Sequence, residues 1–117
     1  MRKALTDYLI AGTYTVYQPF STTNAMVKPY VILKIAAPFE ANGGRFNSFE
    51  VWPYCAKGSF LPVDAYVDGL IARLNNKTLT CADGSRFCIE YMTTGPDYYD
   101  EALAALTRFI RFRSPTL

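Results

Sequence analysis

The chain has 117 residues, half of them apolar, with 12 basic and 10 acidic side chains and a formal net charge of +2. This size and composition fit one folded domain spanning residues 1–117 and exclude a disordered chain. The near balance of charge argues against a strongly basic nucleic-acid-binding face, and the absence of histidine excludes His-dependent catalysis and His-ligated metals.

The apolar stretches are too short to cross a bilayer, and residues 1–12 lack the pattern of a secretion signal. We therefore expect no membrane partner and synthesis and folding in the cytoplasm. The three cysteines, Cys55, Cys81 and Cys88, include no CxxC pair, so we expect reduced thiols with no metal site and no cofactor. Cys81 and Cys88 could face each other on a hairpin.

In the first half of the chain, residues 2–11 predict a short helix that ends at Gly12, and residues 13–18 predict a strand. Residues 19–28 are polar and lack periodicity, which indicates a loop. Residues 29–36 are rich in β-forming side chains and predict a buried central strand. A turn or protruding loop at 39–45 then leads into an alternating strand at 46–54, antiparallel to the central strand.

Residues 61–74 give the clearest helical pattern, with Val63, Val67, Leu70 and Leu74 on one face. Pro62 suits the first turn, where its missing N–H costs nothing. The segments 77–81 and 86–93 flank an Ala-Asp-Gly-Ser turn and predict a hairpin.

The last segment fits two periods, because 102–113 could form a helix while its alternating residues could form a strand. We favour a strand over 103–113, since a helix would give Phe109 and Phe112 no common apolar face with Leu103. The elements together predict an α+β fold, with a mainly antiparallel sheet of five or six strands and the 61–74 helix on one face.

Three functions could explain the segment 97–101 and the arginines that follow it: catalysis, nucleic-acid binding and a protein interface. Paired carboxylates can do acid–base work, but here they follow Gly95-Pro96 in a predicted loop without a nucleophile or a metal-binding pattern. A small enzyme using carboxylates alone is therefore disfavoured. The Asn42-Gly43-Gly44 stretch lacks the context of a phosphate-binding loop and predicts a hairpin tip.

A nucleic-acid-binding sheet domain is another alternative, since arginines alternate with Phe109 and Phe112 and could stack on single strands. The neighbouring acidic residues would repel phosphate, which weighs against it.

The remaining alternative is a protein interface, because the chain holds 18 aromatic residues, nine of them tyrosine. A domain of this size cannot bury them all, and tyrosine, tryptophan and arginine anchor interfaces. A simpler interpretation is that the tyrosine rings only cover the core while their hydroxyls face solvent. The predicted interface residues are Asp97, Tyr98, Tyr99, Asp100, Glu101, Arg108, Arg111 and Arg113.

Three stretches carry a family resemblance: KPYVILKI (28–35), FEVWPYCAKGSFLPVDAYVDGLIARLN (49–75) and PDYYDEALAALTRFIRFRSP (96–115). In this order the chain resembles the tail-terminator (tail-completion) proteins of long-tailed bacteriophages and phage-like particles. The shared pattern is a strand opened by Pro-Tyr, a strand feeding an amphipathic helix, and an acidic tyrosine segment leading into an arginine-rich closing strand.

This resemblance implies a structural virion protein without enzymatic activity, located in the tail or neck and assembled in the host cytoplasm. It implies a hexameric ring that caps the tail tube, stops its growth and meets the head-side connector, with DNA passing unread through the lumen. A head–tail joining or other minor tail component remains an alternative. The carboxylates within 97–101 would then meet basic side chains of a neighbouring subunit, with the three arginines as candidates, while Tyr98 or Tyr99 packs into the seam.

Contacts with the tube or connector are predicted in the loops 19–28 and 37–47, because long excursions from a compact domain are often functional. The candidate residues in these loops are Phe20, Asn24, Phe39, Glu40, Asn42 and Arg45.

Overall fold

A computed structural model describes residues 1–17, 27–36, 39–41 and 44–115, and within them the predicted α+β class is confirmed. Two helices pack on a mainly antiparallel sheet whose continuous path has the strand order β1-β2-β4-β10-β7. The helices are α1 (Arg2–Ala11) and α2 (Leu61–Leu74). The strands are β1 (Val16–Tyr17), β2 (Tyr30–Ile35), β3 (Phe39–Ala41), β4 (Gly44–Cys55), β5 (Thr78–Thr80), β6 (Arg86–Cys88), β7 (Glu90–Thr94), β8 (Tyr98–Asp100), β9 (Ala105–Thr107) and β10 (Ile110–Pro115).

Helix α2 follows its sequence pattern closely, because Val63, Val67, Leu70 and Leu74 are all buried against the sheet. It begins with a proline in its first turn and ends at Asn75, whose backbone is extended. Neither helix in the described part of the chain is long and apolar enough to cross a membrane.

Helix α1 is fastened to the end of α2 by an arginine. Arg73 donates hydrogen bonds to the Tyr8 carbonyl oxygen, at 2.6 Å from Nη2, and its guanidinium lies 4.0 Å from the centre of the Tyr8 ring. A methyl group at Gly12 would overlap the Arg73 side chain, so the helix ends on a residue without a Cβ.

Strand β4 is the centre of the sheet, with β2 antiparallel on one side and β10 antiparallel on the other. Short strand β1 runs parallel to β2 at the far edge. Strands β9 and β10 keep one register against β4, since Thr107 lies opposite Tyr54 and Ile110 lies opposite Val51. They therefore act as one long strand interrupted at residues 108–109.

The edge beside β10 and β9 is formed by β7 and β8, which together run antiparallel to that long strand. The register between β7 and β10 shifts by one residue beside Arg111 and Phe112. A bulged edge strand twists and resists further pairing, which limits uncontrolled strand addition at this side of the sheet.

The two faces of the sheet differ in what covers them. One face buries Leu33, Phe49, Val51, Ile110 and Phe112 together with the apolar sides of both helices. The opposite face carries a smaller cluster around Tyr30, Ile32, Tyr54 and Ala105, to which neither helix contributes a residue. The described helices therefore pack on the first face only, although the residues of the second cluster are themselves buried.

Several boundaries differ from the sequence prediction. The favoured strand over 103–113 is confirmed against the helix, but it begins at Ala105 and is interrupted before Ile110. The predicted strand 86–93 is divided at Ile89, with β6 pairing β5 as a hairpin and β7 joining the main sheet. Residues 98–100, expected in a loop, form β8 because they pair with β9.

The cysteine prediction is corrected by the hairpin register, which pairs Cys88 with Thr78 and brings the Cys81 amide to the Ser85 carbonyl. The two thiols therefore do not face each other, and all three cysteines are free.

The loop prediction for 37–47 is also corrected, because β3 and the start of β4 form an antiparallel hairpin there. Phe39, Glu40 and Arg45 lie in its strands, with Glu40 opposite Arg45. Phe20, Asn24 and Asn42 lie outside the described residues.

Candidate interaction surface

Aromatic rings form a continuous array on the sheet face away from the helices. Tyr17 meets Tyr30 edge-on at 5.3 Å between ring centres, and Tyr30 stacks on Tyr54 at 5.3 Å. Tyr54 stacks on Trp52 at 6.5 Å, and Trp52 meets Phe109 at 5.5 Å. Alternation along β2 and β4 produces this array, because every second side chain points to the same face.

Cations lie on the rings at one end of the array. Lys34 Nζ lies 4.0 Å from the centre of the Trp52 ring, and the Arg111 guanidinium lies 5.1 Å from the centre of the Phe109 ring. Both distances are within the range of cation–π attraction. Glu50 sits between the cations and accepts hydrogen bonds from Trp52 Nε1 at 3.2 Å and Arg111 Nη2 at 2.6 Å.

The strand register explains why these five side chains meet, since it places Lys34 opposite Glu50 and Glu50 opposite Arg111. We refer to Lys34, Glu50, Trp52, Phe109 and Arg111 as the Trp52 patch. The patch is partly accessible, with the Arg111 side chain 44% exposed and the Glu50 side chain 20% exposed.

Arg113 forms a second cross-strand pair beside the patch. Its Nε donates to Glu90 at 2.9 Å, and its guanidinium lies 4.7 Å from the centre of the Phe46 ring. The two side chains are 35% and 39% exposed, so the pair is a surface contact of modest energy.

Arg108 is the most enclosed of the three predicted arginines, with its side chain 19% exposed. Its Nε donates to Asp97 at 2.5 Å, and its Nη2 donates to Asp64 on α2. One guanidinium therefore connects the edge of the sheet to the first turn of the main helix.

The acidic tyrosine segment lies at the edge of the sheet, where β8 ends in a turn. We refer to residues 97–101 as the acidic edge. Tyr98 is 54% exposed and Tyr99 is 38% exposed, with Lys57 Nζ lying 5.5 Å from the centre of the Tyr99 ring. Glu101 is exposed in the turn that follows.

Asp100 is held by two hydrogen bonds. It accepts hydrogen bonds from the Leu103 amide at 3.0 Å and the Tyr54 hydroxyl at 3.4 Å. Burial raises the pKa of Tyr54 well above its ordinary value, and the Asp100 carboxylate raises that pKa further. Tyr54 therefore stays protonated as the donor of this hydrogen bond.

The structure thus gives each predicted arginine a carboxylate partner in its own chain. The sequence predicted that the acidic segment would pair with arginines of a neighbouring subunit. In the structure Arg108 pairs with Asp97 of the same chain. Arg111 and Arg113 pair instead with Glu50 and Glu90 from neighbouring strands. An intersubunit partner for any of them would share the arginine with these carboxylates.

Sequence reasoning missed Lys34, Glu50 and Trp52 as surface residues. The signal was present in the 46–54 alternation, because Phe49 and Val51 face the helices and the residues between them must face away. Among the described residues, no three His, Cys, Asp or Glu side chains cluster in a way that could hold a metal ion.

Comparison with known proteins finds a similar fold but gives no information about function. No family model and no curated protein matches the chain. The chain is similar to a solved structure whose name states no function, with a TM-score of 0.61 and 13% sequence identity. The similarity covers 99% of this chain and 93% of the other, so a known protein shares the whole domain architecture.

Proposed function

We propose that the chain is a structural protein of a phage or phage-like tail, and that it acts through assembly without catalysis. In this proposal its copies form a hexameric ring at the head-proximal end of the tail tube. The ring stops tube polymerisation and joins the tail to the head-side connector, while DNA passes through the lumen. The protein would be assembled in the host cytoplasm and end in the tail or neck of the virion.

One observation carries most of this proposal: the second face of the sheet presents a Trp, a Phe and two cations that no described helix covers. Aromatic and arginine side chains dominate the energy of protein interfaces. The acidic edge, with its exposed Tyr98, supplies a second and different surface on the same domain. A subunit with two unlike surfaces can contact its neighbours head to tail, which is how closed rings form.

The family resemblance in 28–35, 49–75 and 96–115 supplies the tube and the connector as partners. These stretches contain β2, most of β4 with α2, and β8 to β10, which include three of the strands along the main path of the sheet and the main helix. The tail-terminator resemblance therefore rests on the elements that build the domain.

The test is electron microscopy of the purified protein and of the protein mixed with tail tubes, together with mass measurement in solution. We expect ring-shaped particles in the purified sample and rings at one end of each tube. A head–tail joining component would instead bind the connector and leave tube length unchanged. A protein that stays monomeric and leaves tubes uncapped would contradict both roles.

Nucleic-acid binding is a second candidate, favoured by the same Trp52 patch, since rings flanked by Lys34 and Arg111 could stack bases and meet phosphates. Such binding falls steeply as salt rises. A fluorescent single-stranded oligonucleotide titrated at two salt concentrations distinguishes this role from ring assembly without nucleic acid.

A further inference from the structure

The Trp52 patch carries an excess of positive charge on a partly exposed surface. Lys34 and Arg111 lie on either side of the single carboxylate of Glu50, which already bonds to Arg111. Among the described side chains Lys34 contacts a ring and no carboxylate, so its charge can attract an anion. The Trp52 and Phe109 rings between the cations offer an apolar surface beside that charge.

The acidic edge has the opposite character. Around it lie four carboxylates, those of Asp64, Asp97, Asp100 and Glu101, against two cations, those of Arg108 and Lys57. Arg108 is used by Asp64 and Asp97 together, which leaves negative charge in excess at the turn. Tyr98, at 54% exposure, is the most exposed ring of the described chain.

The patch and the edge adjoin at Phe109, which follows Arg108, the partner of Asp97, but Lys34 lies at the far side of the patch from the acidic edge. Lys34 lies opposite Glu50 in β4, whereas Leu106, which lies opposite Tyr99 of the acidic edge, pairs with Cys55 at the other end of the strand. Five residues of strand separate these positions, or roughly 17 Å. Lys34 and the exposed carboxylate of Glu101 can therefore pair with each other only between molecules.

We infer that the Trp52 patch of one copy binds the acidic edge of a second copy of this chain. The inference rests on the proposed ring and names its seam: Glu101 of one subunit meets Lys34 of the next, and Tyr98 packs on the Trp52 and Phe109 rings. Opposite charges favour the contact between patch and edge, whereas a contact between two patches would bring like charges together. When a subunit turns its patch to one neighbour and its edge to the other, the contact is heterologous and can repeat around a ring.

Charge reversal tests the contact directly, with association measured by analytical ultracentrifugation over a range of concentrations. Lys34→Glu and Glu101→Lys should each weaken association at least tenfold, because each places like charges across the seam. The double variant restores opposite charges and should recover most of the lost affinity. Lys77→Glu and Asp68→Lys make the same charge changes at exposed positions outside both surfaces and should associate like the wild type.

A zero-length carbodiimide cross-linker gives a second measurement that needs no variant. It joins a lysine amine to a carboxylate already in contact, so the wild-type assembly should yield a Lys34–Glu101 peptide link found only in the cross-linked oligomer. This result does not depend on how well any substituted chain folds.

The outcomes separate the seam from the proposed function. Normal rings in both single variants, together with a wild-type assembly that yields no Lys34–Glu101 link, would overturn this seam while leaving the tail-ring proposal standing. A wild-type chain that remains a monomer would overturn both. Protection of Lys34 from acetylation by an oligonucleotide, but not by self-association, would assign the patch to nucleic acid and overturn the seam.

Discussion

Arg108 donates a hydrogen bond to Asp97 at 2.5 Å, linking the two interruptions in the C-terminal hairpin. Asp97 lies between β7 and β8, and Arg108 lies between β9 and β10. The same guanidinium bonds to Asp64 on α2, so the sheet edge and the main helix are joined at one side chain. The acidic edge therefore has a fixed position relative to the core.

Replacing Arg108 with alanine should lower the free energy of unfolding by about 1 kcal/mol. Hydrogen bonds between charged groups stabilise the fold more when both groups are buried. Here the two carboxylates are about half exposed, so the expected loss of stability is smaller. Urea unfolding measures the change. Lys3→Ala, which removes the exposed Lys3–Asp7 pair on α1, is the control and should cost under about 0.5 kcal/mol. Equal effects of the two variants would show that Arg108 is an ordinary surface residue.

Tyr30 and Tyr54 should respond in opposite ways to loss of the hydroxyl. Within the described residues, the buried Tyr30 hydroxyl has no hydrogen-bond partner, whereas that of Tyr54 donates to Asp100. Tyr30→Phe should therefore leave stability unchanged or raise it by up to about 1 kcal/mol, and Tyr54→Phe should lower it by about 1 kcal/mol. Urea midpoints of the two variants decide this, and a larger loss for Tyr30→Phe would contradict the assignment.

Alkaline pH should destabilise the fold through its buried tyrosines. Burial raises the pKa values of Tyr54, Tyr30, Tyr14 and Tyr66 in the folded protein. The unfolded chain then binds fewer protons above about pH 10, so stability is level below that pH and falls as pH rises further. Each such tyrosine lowers the free energy of unfolding by up to about 1.4 kcal/mol per pH unit in that range.

The Tyr54→Phe variant isolates one of these contributions. Its unfolding free energy should fall less steeply than that of the wild type above about pH 10, with tyrosinate absorbance following the titration. A slope identical to the wild type would mean that Tyr54 ionises as easily in the folded state as in the unfolded chain.

Gly95 controls the position of Phe109 in the Trp52 patch. A methyl group at position 95 would overlap the Phe109 ring, and the Gly95 amide also donates to the Phe109 carbonyl at 2.8 Å. Gly95→Ala should therefore displace the ring, lower stability by about 1–3 kcal/mol and weaken self-association. The fluorescence of the chain's one tryptophan, which packs on Phe109, reports the shift. An unchanged emission spectrum with unchanged association would contradict this role.

The sequence predicted those features that depend on local periodicity. Helix α2 was evident from four apolar residues at helical spacing, and the β2–β4 pair from two strong strand patterns around a Gly-rich turn. The last segment fitted both periods, and strand was correctly favoured because a helix would have scattered its phenylalanines.

The partners of the arginines could not be predicted in the same way. Glu50 meets Arg111 across 61 residues of sequence because two strands happen to share a register. Register depends on the whole sheet. The ion pairs Arg111–Glu50 and Arg113–Glu90 within the chain therefore could not be predicted from the order of residues alone. The register shift between β7 and β10 likewise cannot be predicted from periodicity.

The central claim is that this domain assembles with copies of itself through the sheet face on which neither described helix packs. Native mass measurement of the purified protein at micromolar concentration, paired with electron microscopy of the same sample, tests it most directly. We predict a single closed oligomer with the mass of six chains and a ring-shaped outline. A mass of one chain at every concentration, with no particle visible, would contradict the claim.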